Sequence, residues 1–131
     1  MQTAAIQPKP KFAAFFKYEK RKYPNQNKKI EIIKRVVASH LEIQESDIYK
    51  KGRKHHAPCL SRYLISYFIK MNNITTLINT VYAFRGAISD HTTIMHGVAK
   101  IHKMIRNEPG FKELIAKMDL DINERFKHLT Q

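Results

Sequence analysis

The stretch from Ser89 to Asn107 places the strongest single constraint on how this chain can fold. Its apolar side chains recur with a 4-3-4 spacing that puts them on one face of an α-helix; they are Ile94, Val98, Ile101 and Ile105. A second stripe about half a turn round is polar and basic, and it consists of Thr92, His96, Lys100 and Lys103. Ser89 or Asp90 can cap the N-terminus of such a helix. We therefore predict a long amphipathic helix that docks on a core with one face and presents the other to a second molecule.

The segments before this helix also follow helical spacing. A first helix, capped by Asn27 and ending near Leu41, is predicted from apolar positions on one face: Ile30, Ile33, Val36 and Val37. Residues 46–49 predict a short capped turn. Pro58 is tolerated in the first turn of the next helix. The apolar stripe of that helix is wide enough to mark it as the central one: Leu60, Tyr63, Leu64, Ile65, Tyr67, Phe68, Ile69 and Met71.

The second half of the chain predicts a short helix, a turn and a final helical segment. Thr75 or Thr76 can cap the short helix, and Gly86 lies in the turn that follows it. After a break at residues 108–110, one helix or a pair of helices is predicted from apolar positions at Phe111, Leu114, Ile115, Met118, Ile122, Phe126 and Leu129. No strand-period pattern of useful length occurs. The predicted fold class is therefore all-α, with five or six helices.

The charge of the chain indicates the class of its partner. The chain carries 24 Lys and Arg against 11 Asp and Glu, a formal net charge of +13. Between residues 48 and 107 the only acid is Asp90, whereas the basic residues are Lys50, Lys51, Arg53, Lys54, Arg62, Lys70, Arg85, Lys100, Lys103 and Arg106. A solubilising surface would be more evenly balanced. Because each neutralised phosphate releases a condensed counterion, a nucleic acid is the predicted ligand.

The region at about residues 74–107 has the elements of a helix-turn-helix: two helices, a turn containing Gly, and polar side chains at the start of the second helix. In that motif the second helix lies in the major groove of duplex DNA, and its first residues meet base edges. Thr92 and Thr93 offer hydroxyl and methyl groups, and His91 can donate to guanine or phosphate. Asp90 can accept from a cytosine amino group or cap its own helix. The sequence leaves both roles open.

The start of this second helix resembles a known family. Residues 90–96 read Asp-His-Thr-Thr-Ile-Met-His and are followed by Lys100 and Ile101. They are similar to the Asp-His-Thr-Thr-Val-x-His and Lys-Ile motif in the C-terminal DNA-binding domain of the bacterial chromosomal replication initiator DnaA. The similarity covers roughly residues 29–118 and extends back through Ala83-Phe84, Leu77, Arg62, Arg53-Lys54 and Ile30.

The resemblance implies a Trp-repressor-like helical fold that binds double-stranded DNA with sequence preference, in replication initiation or transcriptional regulation. It implies that a basic loop at Arg53 or Lys54 enters the minor groove. It also implies that Arg62 and the Asp-His-Thr-Thr tip reach the major groove, while Lys100 contacts the DNA backbone. The predicted DNA-binding residues, with the polar stripe included, are Arg53, Lys54, Arg62, Asp90, His91, Thr92, Thr93, His96, Lys100 and Lys103.

The chain departs from the family pattern in the reading helix and just before it. Ser89 stands where a basic residue usually precedes the Asp, and the turn before it is about two residues longer. Thr80-Val81 replaces an Ile-Gly pair, and Gly97 replaces an Ala. Gly inside a helix costs about 1 kcal/mol relative to Ala. These departures leave the predicted fold unchanged, but they bear on the base preference.

Composition divides the chain at about residue 28. Residues 1–28 interleave aromatic and basic side chains and predict an N-terminal arm or helix, which can pack on the main domain, touch phosphates or bind a partner protein. Residues 29–131 form the predicted helix-turn-helix domain. The oligomeric state, monomer or homodimer, stays open. The alternative function is a protein-interaction or RNA-binding module on the same fold.

No catalytic or cofactor site is predicted. The four glycines, at positions 52, 86, 97 and 110, do not form a Gly-x-x-x-x-Gly-Lys-Ser/Thr loop, so the resemblance is to the DNA-reading part of the initiator without its ATPase. The spacing of the histidines on the long helix does not put three of them on one face, which disfavours a metal site. Cys59 has no disulfide partner, and no apolar run approaches the roughly 20 residues of a membrane span. We expect a cytoplasmic, nucleoid-associated protein that is not an enzyme and contacts no membrane.

Overall fold

The computed structural model describes residues 23–51 and 56–129. Across these two ranges the chain folds into five α-helices and one 3-10 helix, without a strand: α1 (Gln26–Leu41), the 3-10 helix (Glu45–Tyr49), α2 (His56–Met71), α3 (Leu77–Tyr82), α4 (His91–Asn107) and α5 (Pro109–Phe126). The predicted all-α class is confirmed. Most of the predicted N-terminal arm lies outside the described residues.

Helix α2 is the central helix, as its wide apolar stripe predicts. It packs against α1, α3, α4 and the 3-10 helix. Its buried side chains include Leu64, Ile65, Phe68 and Ile69, none of which is more than 1% exposed. Burial of each such side chain contributes about 1.5–3 kcal/mol to stability. The buried stripe ends before Met71, which is 50% exposed and was wrongly placed on the inner face.

Helix α1 is flanked at both ends by a residue with a left-handed backbone conformation. Asn27, the predicted cap, lies inside the helix, so that prediction was wrong. The N-cap position is Asn25, which has a left-handed φ of 57° and makes no side-chain capping hydrogen bond. The predicted end at Leu41 is confirmed. Glu42 follows it with a φ of 58°, and its N–H donates to carbonyls of the last helical turn, which satisfies groups that the helix end leaves unpaired.

The short turn predicted at residues 46–49 is the 3-10 helix. Asp47 caps it by accepting a hydrogen bond from the Gln44 N–H at 3.0 Å. Ile48 is completely buried, and Tyr49 is half-buried. The 3-10 helix thus fixes the chain immediately before the basic segment that begins at Lys50.

Helices α4 and α5 complete the core. The predicted inner stripe of α4 is confirmed, because Ile94, Val98 and Ile101 are no more than 4% exposed and Ile105, which is half-buried, packs against the core. The break predicted at residues 108–110 is confined to Glu108, and the chain after it forms one continuous helix rather than a pair. Helix α5 packs against α1 and α4, and it buries Ile115, Met118 and Ile122.

The described part of the chain contains neither a membrane-spanning helix nor a group of side chains that could hold a metal ion. None of its helices has both the length and the apolar character that crossing a membrane requires. In the same residues, no group of three or more His, Cys, Asp or Glu side chains is arranged to hold a metal ion.

Candidate nucleic-acid interface

Helices α3 and α4 are joined by a turn that residues 83–90 form. Helix α3 begins at the predicted cap, where the Thr76 side chain accepts a hydrogen bond from the Asn79 N–H at 3.1 Å. The turn is closed by a hydrogen bond from the Ala87 N–H to the Phe84 carbonyl at 2.9 Å. Between them Arg85 and Gly86 both have positive φ values, 51° and 89°. Two consecutive positive φ angles reverse the chain sharply, as in a type I′ turn.

The N-terminus of α4 is capped by Asp90. Its Oδ1 accepts a hydrogen bond from the Thr92 N–H at 3.1 Å, and its Oδ2 accepts one from the Thr92 hydroxyl at 2.7 Å. His91 Nδ1 lies 3.4 Å from the same carboxylate. The hydrogen bonds from the Thr92 hydroxyl and amide lower the pKa of Asp90 below its usual value. Of the two roles open to Asp90, the structure therefore displays the cap.

This cap changes what Thr92 can offer to a ligand. Since the hydroxyl hydrogen of Thr92 points to Asp90, the Oγ1 lone pairs and the methyl group are what remain for other contacts. Thr92, Thr93 and His91 are all exposed. The tip of α4 therefore presents several hydrogen-bond acceptors and methyl groups to solvent on one helical turn.

The outer face of α4 is polar and basic, as predicted. Thr92, His96, Lys100 and Lys103 are all exposed, whereas the isoleucine and valine stripe faces the core. His96, Lys100 and Lys103 make no ion pair with a described acid, so these side chains are available to a ligand. Thr92 already donates its hydroxyl hydrogen to Asp90. The predicted division of α4 into a docking face and a presenting face is confirmed.

Helix α4 approaches α2 unusually closely at Gly97. A Cβ atom at this position would overlap the Tyr63 ring, with Cδ1 as its nearest neighbour and Cε1 at 3.1 Å. Gly97 is buried and Tyr63 is half-buried. The glycine therefore has a packing reason, which offsets its poor helix propensity.

An open groove of about 810 Å³ runs between α2 and α4. One wall comes from α2 and the other from α4 and the turn before it. The lining residues are His56, Cys59, Leu60, Arg62, Tyr63, Ala87, Ile88, Thr92, Thr93, His96, Lys100 and Met104. Five of the predicted DNA-binding residues thus share one surface feature: Arg62, Thr92, Thr93, His96 and Lys100. Asp90, His91 and Lys103 lie on α4 or at its start but do not line the groove.

Arg62 has a partner that the sequence did not indicate. It is only 5% exposed, and its Nη1 donates to the carbonyl of Ile48 at 2.7 Å and to that of Lys50. The guanidinium thus joins α2 to the end of the 3-10 helix. Its predicted contact with the major groove stays a prediction.

The structure describes the residues on either side of the basic loop, up to Lys51 and from His56, but not those between them. Arg53 and Lys54 lie outside the described residues, so their predicted role in the minor groove stays a prediction. On the N-terminal side, Lys50 pairs with Asp47 at 2.8 Å, and Lys51 is exposed. The loop therefore starts from a segment with a defined structure.

The sequence reasoning missed several residues of this surface. His56 and Tyr63 line the groove, and Cys59 is half-buried in its wall. Tyr49 and Arg85 were read only as part of a short turn and as one of many charges. The guanidinium of Arg85 lies over the ring of Tyr49. The two residues are far apart in the sequence, so no local pattern could have predicted this contact.

Comparison with known proteins supports the resemblance drawn from the Asp-His-Thr-Thr motif. The chain is 31% identical over 93 residues to the chromosomal replication initiator protein DnaA of Oenococcus oeni, a match that covers 71% of this chain and 20% of the relative. It is 29% identical over 94 residues to the DnaA protein of Lachnoclostridium phytofermentans, which covers 72% and 20%. The chain thus matches only about a fifth of the length of these relatives. No protein-family model matches the chain, and no solved structure matches it significantly. The chain is similar to one part of the initiator, and the predicted resemblance is confirmed.

Proposed function

We propose that this chain, similar to part of the initiator DnaA, binds double-stranded DNA through a helix-turn-helix formed by α3, the 83–90 turn and α4. The observation that carries the proposal is the outer face of α4, where an exposed polar tip and exposed lysines stand on a helix whose other face is locked in the core. The chain acts by binding, as a monomer or homodimer, in replication initiation or in transcriptional regulation. It performs no ATPase chemistry of its own.

The tip of α4 supplies the sequence preference. In the major groove, cytosine and adenine present amino donors, and thymine presents a methyl group. The Thr92 Oγ1 can accept from such an amino group, because its own hydrogen is already donated to Asp90. The Thr92 and Thr93 methyl groups can meet thymine. His91, beside them, can donate to a guanine acceptor or to a phosphate.

The lysines of α4 supply affinity that does not depend on sequence. Lys100 and Lys103 are exposed on the same stripe as the tip. Neither makes an ion pair with a described acid. Each lysine that neutralises a phosphate adds roughly 0.9 to the slope of log affinity against log salt. These side chains therefore anchor the helix along the DNA backbone while the tip reads.

One observation favours a second candidate function. Ile78 and Tyr82 lie one turn apart on α3 and are 54% and 48% exposed. Exposed apolar side chains on one helical face can serve a protein partner. A protein-interaction module that uses α3 and the basic surface for an acidic partner is therefore the alternative.

Selection from random duplexes, followed by fluorescence anisotropy on the selected site, tests the proposal. Thr92→Ala should weaken the selected site alone, by about 1–3 kcal/mol, because it removes a base contact. Lys100→Ala should weaken all duplexes about equally and reduce the salt slope by about one phosphate contact. Lys117→Ala is the matched control, since Lys117 is an exposed lysine on α5, outside the groove.

One binding result with the wild-type protein would contradict sequence-specific DNA binding. Equal affinity for all duplexes and for heparin, lost at modest salt, would show that the chain binds polyanions without reading sequence. A silent Thr92→Ala on a selected site would show that the tip does not touch bases.

A further inference from the structure

The ring of Tyr49 joins three parts of the domain. Arg85 Cζ, from the turn before α4, lies 4.3 Å from the ring centroid. Lys34, a buried lysine of α1, donates to the Tyr49 hydroxyl at 2.8 Å, and its Nζ is 5.0 Å from the same centroid. Cations at these distances over an aromatic ring are attracted by its π-electrons. Tyr49 therefore links the 3-10 helix with α1 and with the turn that leads into α4.

Arg85 holds a backbone conformation that needs support. Its φ of 51° is left-handed, a region that side chains other than Gly, Asn and Asp rarely adopt because Cβ crowds the backbone. The turn that contains it is closed by the Ala87 to Phe84 hydrogen bond. The contact with Tyr49 favours the side-chain position that this backbone conformation produces. Loss of that contact would leave the turn with one stabilising interaction fewer and the same strain.

The segment beneath Tyr49 is held from a third side. Arg62, on α2, donates to the carbonyls of Ile48 and Lys50, the residues that flank Tyr49. Side chains from α1, α2 and the 83–90 turn thus converge on three consecutive residues. The last of these three, Lys50, and the next residue, Lys51, are the start of the basic segment. The same contacts therefore hold the start of the basic segment and the 83–90 turn, which sets the direction of α4.

We propose that the basic segment that starts at Lys50 and Lys51 contacts DNA beside the tip of α4, and that Tyr49 is a positioning residue that sets the distance and angle between these two parts. The inference rests on the proposed DNA-binding function. Tyr49 and Arg85 need not touch DNA in this role; they act through the elements that they join. A site whose two contacted parts are separated by the matching number of base pairs should then bind best.

The test uses the full chain and the duplex that selection yields for the wild-type protein. A second duplex carries one inserted base pair between the two contacted parts, which footprinting locates on the selected duplex. Tyr49→Leu removes the ring without changing the charge of the protein. It should lower the preference for the selected duplex over the inserted one by roughly 2- to 5-fold, the range expected from loss of an exposed cation–π contact. Tyr49→Phe, which keeps the ring and loses only the hydroxyl, should retain the preference within about 2-fold.

A double variant and a DNA-free measurement separate positioning from general weakening. Arg85→Ala combined with Tyr49→Leu should lower the preference no further than the stronger single variant, because both remove one contact. Hydrogen exchange of the Ala87 amide, which closes the turn, should become severalfold faster in Tyr49→Leu and stay unchanged in Tyr49→Phe. All measurements are made below the melting temperature of every variant.

Each outcome bears on a different statement. Unchanged exchange at Ala87 in Tyr49→Leu would refute the link between Tyr49 and the turn, whether or not DNA binds. Faster exchange with an unchanged preference, or additive losses in the double variant, would refute the positioning role. A wild-type protein that selects no duplex would overturn the proposed function and, with it, the positioning role, while the exchange result would still report on the link itself.

Discussion

Gly97→Ala tests how closely α4 packs against α2. The added Cβ atom has two effects of opposite sign on the free energy of unfolding. In an isolated helix the change would stabilise, since Ala is favoured over Gly by about 1 kcal/mol. In this domain the added Cβ would overlap the Tyr63 ring on α2. The nearest ring atoms are Cδ1, Cε1 and Cγ, so the whole ring has to move rather than its tip.

The magnitude follows from weighing these two effects. Overpacking of a filled site costs about 1–3 kcal/mol, and the propensity gain returns about 1 kcal/mol. We therefore expect Gly97→Ala to lower the free energy of unfolding by about 1 kcal/mol. In a Tyr63→Ala background the obstacle is gone, so the same change should raise the free energy of unfolding by up to about 1 kcal/mol. The sign of the effect should reverse.

Urea unfolding followed by circular dichroism at 222 nm measures both effects, with the free energy extrapolated linearly to water. Ala99→Gly is the control, because Ala99 is exposed on the same helix and reports the propensity effect alone. It should destabilise by about 1 kcal/mol. If Gly97→Ala stabilises the protein with Tyr63 in place, the close approach of α2 and α4 does not limit this position, and the packing explanation of the glycine is refuted.

The remaining predictions concern a buried cation, an acid contact and the reading tip. Arg62→Met should lower the free energy of unfolding by about 1–3 kcal/mol, measured by the same urea titration, because two backbone carbonyls lose their donor; a neutral result would show that water replaces the guanidinium. Burial alone would raise the pKa of Asp121, but hydrogen bonds from Arg125 and His40 outweigh it and lower the pKa. The stabilisation by Asp121 is therefore present above about pH 4 and is lost as the pH falls through its lowered pKa, so the stability difference between wild type and Asp121→Asn should shrink in acid and not in alkali. Thr92→Val and Thr92→Ser should change different base preferences when each variant is put through duplex selection, because the first loses the acceptor and the second the methyl group; identical preferences would contradict a reading role for Thr92.

The parts of this structure that the sequence predicted are those with local causes. The 3.6-residue spacing of Ile94, Val98 and Ile101 depends only on helix geometry, and it gave the inner face of α4 correctly. The Asp90 cap, one of the alternatives that the sequence left open, lies within two residues of the group that it satisfies, so its cause is also local. The error at Asn27 has a local cause as well. Several polar residues precede α1, and the residue at the true N-cap position, Asn25, makes no side-chain hydrogen bond that would distinguish it.

The parts that could not be predicted depend on residues distant in the sequence. Arg62 was predicted from the resemblance to reach the major groove, and nothing near it in the sequence indicated that its side chain is buried. Its burial follows from two carbonyls that only the 3-10 helix brings within reach. The contact of Tyr49 with Arg85 likewise spans helices α2 and α3. Period and capping rules carry no information on such pairings, because nothing in either local segment depends on the other.

The distinction between local and distant contacts also bears on the proposed DNA surface. There we expect affinity and selectivity to depend on different residues. An exposed lysine such as Lys100 contributes to phosphate binding wherever the helix lies near the backbone, so a tilt of α4 costs it little. A base contact by Thr92 depends on hydrogen-bond distance and angle, so it weakens when α4 shifts or tilts. The contacts that we propose to prevent such a shift are Gly97 against Tyr63 and Tyr49 against Arg85. Under the proposed function we therefore expect selectivity to depend on residues that touch no base, and changes to them should separate selectivity from affinity more cleanly than changes to the lysines.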